Sequence, residues 1–136
     1  MGRKTILVIE DNELNIKLVN SLLQIGQYNI LNAMDAESGI QIAKEMRPDL
    51  IFMDIQLPGM DGLSASRIIK GDPALKGIRI VALTSYAMEG DAEKVRIAGC
   101  DGYISKPINT RSFLDTLNSF FQDGDEKDQS QNMLNK

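Results

Sequence analysis

The sequence predicts an α/β fold, a doubly wound parallel sheet, and three observations carry that expectation. Five short apolar runs alternate with longer stretches whose apolar residues recur at helical spacing. Several runs are continuous Ile, Val and Leu rather than alternating with polar residues, as in parallel strands covered on both faces. The polar residues that could carry chemistry stand directly after the runs, where a doubly wound sheet gathers its ligands.

Taken in order, the first strand is expected at residues 5–9, which read Thr-Ile-Leu-Val-Ile. Asn12 can cap the next helix, with Leu14, Leu18, Leu22 and Ile25 near one sheet-facing side and Gly26 available to end it. A second strand is expected at 28–33 and a helix over 35–46; a third strand at 50–53 precedes a helix from Gly62 towards Ile69. The fourth strand is expected at 78–83, followed by a helix over 90–98 closed by Gly99, and the fifth at 102–105. The final helix is expected from Asn109 or Thr110, where Phe113, Leu114, Leu117, Phe120 and Phe121 form a core-facing stripe. Gly59 and Gly62, in the loop after the third strand, read as backbone permissiveness.

Size and composition bound the function. A chain of 136 residues with 43% hydrophobic and 25% charged residues buries one core, so residues 1–121 form one soluble domain. Residues 122–136 are polar with little to bury and read as a disordered tail. No apolar run approaches the roughly 20 residues of a membrane span, and nothing signals export. The lone Cys100 forms no internal disulfide, and a cytoplasmic location is expected. A net charge of −4 argues against direct nucleic-acid binding. With no histidine, the chain has no Ser/His/Asp chemistry, no His-ligated zinc and no phosphohistidine of its own. Any histidine in its mechanism comes from a partner.

Glu10 and Asp11 follow the first strand, Asp54 the third, Thr84 the fourth, and Lys106 with Pro107 the fifth. Four strands thereby bring three carboxylates, a hydroxyl and an ammonium to one sheet edge. Clustered carboxylates raise one another's pKa unless a cation sits among them. Mg²⁺ suits such a site, because it takes oxygen ligands and is commonly held by one or two carboxylates together with phosphate oxygens. Lys106 adds a second positive charge, able to offset the acids or to contact phosphoryl oxygens.

The blocks Val8-Ile9-Glu10-Asp11-Asn12, Met53 to Gly62 (Met-Asp-Ile-Gln-Leu-Pro-Gly-Met-Asp-Gly), Ala82-Leu83-Thr84-Ser85 and Ile104-Ser105-Lys106-Pro107 closely resemble the four signature blocks of response-regulator receiver domains. The likeness covers residues 4 to about 121. It implies a flavodoxin-like sheet of five strands in the order 2-1-3-4-5, flanked by five helices. It implies Asp54 as phosphoacceptor, metal contacts from Glu10, Asp11, Asp54 and the backbone carbonyl of Gln56, and a phosphoryl grip by Lys106 and Thr84. The Thr84 hydroxyl would move towards the phosphoryl oxygens, Tyr103 would turn inward, and the face of helix four, strand five and helix five would change. Gln56 and Tyr86 would flank the path of the hydrolytic water, and Lys106-Pro107 would be a cis peptide.

Among receivers, the runs Glu10 to Asn15, Ala87 to Asp91 and Ala98 to Ile108 look like DivK-type single-domain regulators and the receivers of hybrid kinases. The resemblance thus implies a phosphorelay component with Mg²⁺ as cofactor. Its donor would be a sensor histidine kinase or a histidine phosphotransfer protein, and it would be a phosphoacceptor switch rather than an enzyme. A monomer or a weak, phosphorylation-dependent dimer is expected. A receiver belonging to a hybrid kinase, or a docking module that is never phosphorylated, are the alternatives. A flavin binder is disfavoured by the acidic first loop, and an aspartyl phosphatase by Gln56 where such enzymes carry an acid.

Overall fold

The computed structural model describes residues 3–85 and 91–129. Strands and helices alternate in the order β1 (Thr5–Ile9), α1 (Glu13–Ile25), β2 (Asn29–Ala33), α2 (Ala36–Met46), β3 (Leu50–Asp54), α3 (Gly62–Gly71), β4 (Arg79–Thr84), α4 (Asp91–Ile97), β5 (Gly102–Ser105) and α5 (Phe113–Gln129). All the strand pairs are parallel, in the order β2-β1-β3-β4-β5. This is the architecture the sequence predicts.

The period-two geometry of a strand sends neighbouring side chains to opposite faces, and here both faces are apolar. Ile6, Val8, Leu50, Phe52, Val81 and Leu83 pack under Val19, Leu22 and Leu23 of α1 and Phe113 and Leu117 of α5. On the other face Leu7, Ile9, Ile51, Met53, Ile80 and Ala82 meet Ala36 and Ala43 of α2, Ala65 and Ile69 of α3, and Val95 of α4. The Phe52 and Phe113 rings, with centroids 5.4 Å apart, join sheet to α5. Burial of both faces is why the strands read as unbroken apolar runs. No helix among the described residues is long and apolar enough to cross a membrane.

Helix starts reflect the chemistry of short polar side chains. Asn12 Oδ1 accepts the Asn15 N–H at 3.0 Å, Asp35 Oδ1 that of Ser38 at 2.7 Å, and Asp61 Oδ1 that of Ser64 at 2.8 Å. Each supplies one of the acceptors that the first turn lacks. Both capping aspartates have carboxyls held below their ordinary range, chiefly by these backbone hydrogen bonds.

Several local expectations are corrected. The buried side of α1 is Val19, Leu22 and Leu23, while Leu14 and Ile25 are 76% and 70% exposed; the sheet-facing side is centred on Val19 and Leu23, and Leu14 and Ile25 lie round the helix from it. Gly26 caps α1 in a right-handed conformation (φ −79°), and the positive φ falls on Gln27. Gly26 serves close packing instead: a Cβ there would come within 2.8 Å of Leu114 Cδ2 and Tyr28 Cε2. Gly62 likewise answers to close approach rather than to φ, as a Cβ would fall 2.3 Å from the Asp54 carbonyl oxygen. Gly59 does have a positive φ, at 73°.

The last helix begins at Phe113, because Asn109 Oδ1 accepts the N–H groups of Arg111 and Ser112 and closes a separate turn first. It then continues to Gln129, past the boundary at Phe121 expected from composition; once nucleated, a helix extends by one hydrogen bond per added residue. Residues 130–136 lie outside the described residues. So do Tyr86 and Gly90, while Gly99 (φ 97°) ends α4 as expected. Cys100 is buried, which raises its thiol pKa.

Candidate functional site

Because β1 lies between β2 and β3, the chain leaves it to opposite sides, and a crevice opens beyond the carboxyl ends of β1 and β3. Register decides which residues face it. Ile9 pairs with Met53, so Glu10 and Asp54 emerge side by side. Pairing continues past the strands: the Glu10 N–H donates to the Ala33 carbonyl at 3.0 Å, that of Ile55 to Leu83 at 3.1 Å, and that of Lys106 to Thr84 at 2.7 Å. These bonds hold the residues after each strand as firmly as the strands themselves.

Carboxylate oxygens of Glu10, Asp11 and Asp54 lie within 4.8 Å of one another. Glu10 and Asp54 are buried, at 0% and 3% exposure, whereas Asp11 is exposed. Lys106 Nζ stands 3.1 Å from Glu10 Oε1 and 3.3 Å from Asp54 Oδ2. Asp54 Oδ1 accepts the Gln56 N–H at 2.9 Å, and Glu10 Oε2 accepts that of Asn12 at 3.1 Å. Lys106-Pro107 is a cis peptide.

The Glu10 carboxyl is held above its ordinary range, first by burial and then by sharing hydrogen-bond contact with Asp54; the Asn12 N–H, opposing, lowers it. The negative charge of Asp54 adds to the rise, and Lys106 offsets part of it. Glu10 Oε1 is buried against the Lys106 ammonium, which it shares with Asp54. One shared ammonium offsets only part of two buried negative charges, and a further cation would complete the compensation. Among the described residues the donor set is three carboxylates with no imidazole or thiolate, which fits a hard divalent cation that prefers oxygen.

The cleft measures about 460 Å³. Its walls include the expected Glu10, Asp11, Asp54, Gln56 and Lys106. Thr84 is buried at the end of β4, and the wall there is Ser85. Tyr103 is 43% exposed and lines a different cleft, of about 330 Å³, between β5 and α5. Asn12, Glu13 and Asn15 also line the acid cleft; sequence reasoning took Asn12 only as a cap and missed the other two. The signal was present, because a cap at Asn12 places the first turn of α1 at the mouth of whatever Glu10 and Asp11 face.

Residues 6–118 match the family described as response regulator receiver domain. The chain therefore belongs to the receiver domains of response regulators, the receiving component of two-component signalling. It is 42% identical over 120 residues to the polar-differentiation response regulator DivK of Brucella anthropi, covering 88% of this chain and 98% of that protein. Among solved structures it is similar to the receiver domain of the sensor histidine kinase PA1611 from Pseudomonas aeruginosa, which has a magnesium ion coordinated in its active site cleft. That match has 31% identity and a TM-score of 0.80, over 87% of this chain and 97% of the other. It is also similar, at 29% identity and a TM-score of 0.77, to a chain in the complex of the Saccharomyces cerevisiae phosphotransfer protein Ypd1 with the receiver domain of Ssk1, covering 84% of this chain and 86% of that one.

Proposed function

We propose that Asp54 accepts a phosphoryl group from a phosphohistidine on a sensor histidine kinase or a histidine phosphotransfer protein, and that the new charge switches the face formed by α4, β5 and α5. The observation that carries this reading is the setting of the Asp54 carboxylate. One oxygen is held by the Gln56 N–H and the other faces Lys106, in a close cluster with the Glu10 and Asp11 carboxylates. A carboxylate so oriented is a nucleophile aimed at an incoming phosphorus.

An Asp54 oxygen forms the O–P bond as the P–N bond of the donor breaks, and the electron pair stays on the imidazole nitrogen. Glu10, Asp11, Asp54 and the backbone carbonyl of Gln56 would hold Mg²⁺, which when bound supplies positive charge to the oxygens of the transferring group. Lys106 supplies a second positive charge from the opposite wall. The product is an acyl phosphate, which water can hydrolyse, with Gln56 beside the path of that water. The added group carries about −1.5 to −2 charge. Lys106 and the Thr84 hydroxyl grip it, and Tyr103, now 43% exposed, turns inward. Burying an exposed aromatic alters a surface that a partner can read.

The test is intact-mass spectrometry after incubation with acetyl phosphate, with and without Mg²⁺, on the native chain and on Asp54→Ala. A labile mass gain of one phosphoryl group that requires both Mg²⁺ and Asp54 is the expected result. No gain from acetyl phosphate, nor from any phosphohistidine donor, would leave a docking module in place of a switch.

A further inference from the structure

We propose that Glu13 determines which phosphodonors the acid cleft accepts, disfavouring small free dianions relative to donors that bring positive charge of their own. The inference rests on Asp54 being the acceptor and adds a specificity residue to that reaction.

Among the described residues, four carboxylates and one ammonium line the cleft. Three of the acids, Glu10, Asp11 and Asp54, form the close cluster, and Lys106 touches two of them. A divalent cation in the cluster together with Lys106 balances those three negative charges. The charge left over is that of Glu13, which is exposed, stands at the first position of α1, and makes no ion pair among the described residues. Lys17, one turn along α1, is close enough in sequence to pair with it and does not. A donor entering the metal-loaded cleft therefore meets one uncompensated negative charge at its mouth. Free dianions are repelled there, while a phosphoryl group arriving with a cationic leaving group or a basic rim is not.

Glu13 also has a structural effect to be separated from this one, since an acid in the first turn stabilises a helix N-terminus. Glu37 in the first turn of α2 supplies the matched control, being an exposed first-turn acid that does not line the cleft. Glu13→Gln and Glu37→Gln change net charge and helix dipole alike.

Labelling rates at Asp54 are measured at saturating Mg²⁺ for the native chain and both variants, with two donors. Acetyl phosphate is a dianion at neutral pH; phosphoramidate carries a cationic leaving group. At low salt, Glu13→Gln should accelerate labelling by acetyl phosphate about threefold, as expected of one unit charge acting across water on a dianion. Phosphoramidate should gain less, and the gain should vanish near 1 M salt, where the screening length falls to about 3 Å. Glu37→Gln should behave as the native chain does. Equal behaviour of the two variants, or a gain that survives high salt, overturns the proposal. If neither donor labels Asp54 in the native chain and no phosphohistidine protein does, the phosphoacceptor reading falls and this proposal with it; labelling without charge dependence refutes the proposal alone.

Discussion

Replacing Gly62 by Ala should destabilise the domain, although alanine is the better helix former. A Cβ at Gly62 would lie 2.3 Å from the Asp54 carbonyl oxygen, 2.7 Å from Ile55 Cα and 2.9 Å from the Asp54 carbonyl carbon. All three are backbone atoms, pinned by the β3–β4 ladder and by the Gly62 N–H, which donates to the Ile55 carbonyl at 3.2 Å. Overpacking of this kind costs about 1–3 kcal/mol, and the gain in helix propensity returns up to about 1 kcal/mol. The net loss is about 1–2 kcal/mol, or several degrees in Tm for a domain of this size. Gly71, which ends the same helix with nothing within 4 Å of its Cβ position, is the control; Ala there should be neutral or stabilise by up to about 1 kcal/mol. Urea unfolding monitored by circular dichroism should move the midpoint down for Gly62→Ala and leave it level or raise it for Gly71→Ala, at constant slope. A Gly62→Ala protein that unfolds at the native midpoint would refute the close-approach argument. Because the clash is with the carbonyl of Asp54 itself, the folded variant should also label more slowly.

Lys106→Ala should slow labelling at Asp54 by about a hundredfold, the scale expected for losing one positioned electrostatic contact, while Mg²⁺ remains required; single-turnover mass spectrometry reads this directly. The helix caps predict an acid response. Asp61 titrates below its ordinary value of 3.8 in the folded protein, so its contribution is fully present above that value and is lost as pH falls through the lowered one. Asp61→Ala should therefore cost about 1 kcal/mol at neutral pH, and its unfolding midpoint should converge on the native one as pH drops below 3.8. A gap that stays constant into acid would separate the cap from the ionised carboxylate.

The legibility of the fold rested on period. Thr5–Ile9 is the strand expected, because an apolar run bounded by polar residues has one way to bury both faces; Gly102–Ser105 also has the expected bounds, as a partly exposed edge strand. The α5 stripe was legible for the same reason: Phe113 and Leu117 are buried, with Leu114, Phe120 and Phe121 packed against them. Finer choices were not legible. Leu14 and Leu22 are chemically alike, yet one is 76% exposed and the other 8%, and only the position of the sheet tells them apart.

Residue types and their places after strands determined by themselves that three acids and a lysine would meet at one sheet edge, since parallel strands deliver the residues beyond their carboxyl ends to a common side. Tertiary structure alone decided the rest. It set which oxygen of Glu10 and which oxygen of Asp54 face Lys106, because these depend on ångström-scale register between strands far apart in the chain. It also brought Glu13 and Ser85 into the cleft wall and left Tyr103 in another. A one-dimensional pattern specifies which side of an element is buried; distances between side chains on different elements arise only when the layers pack.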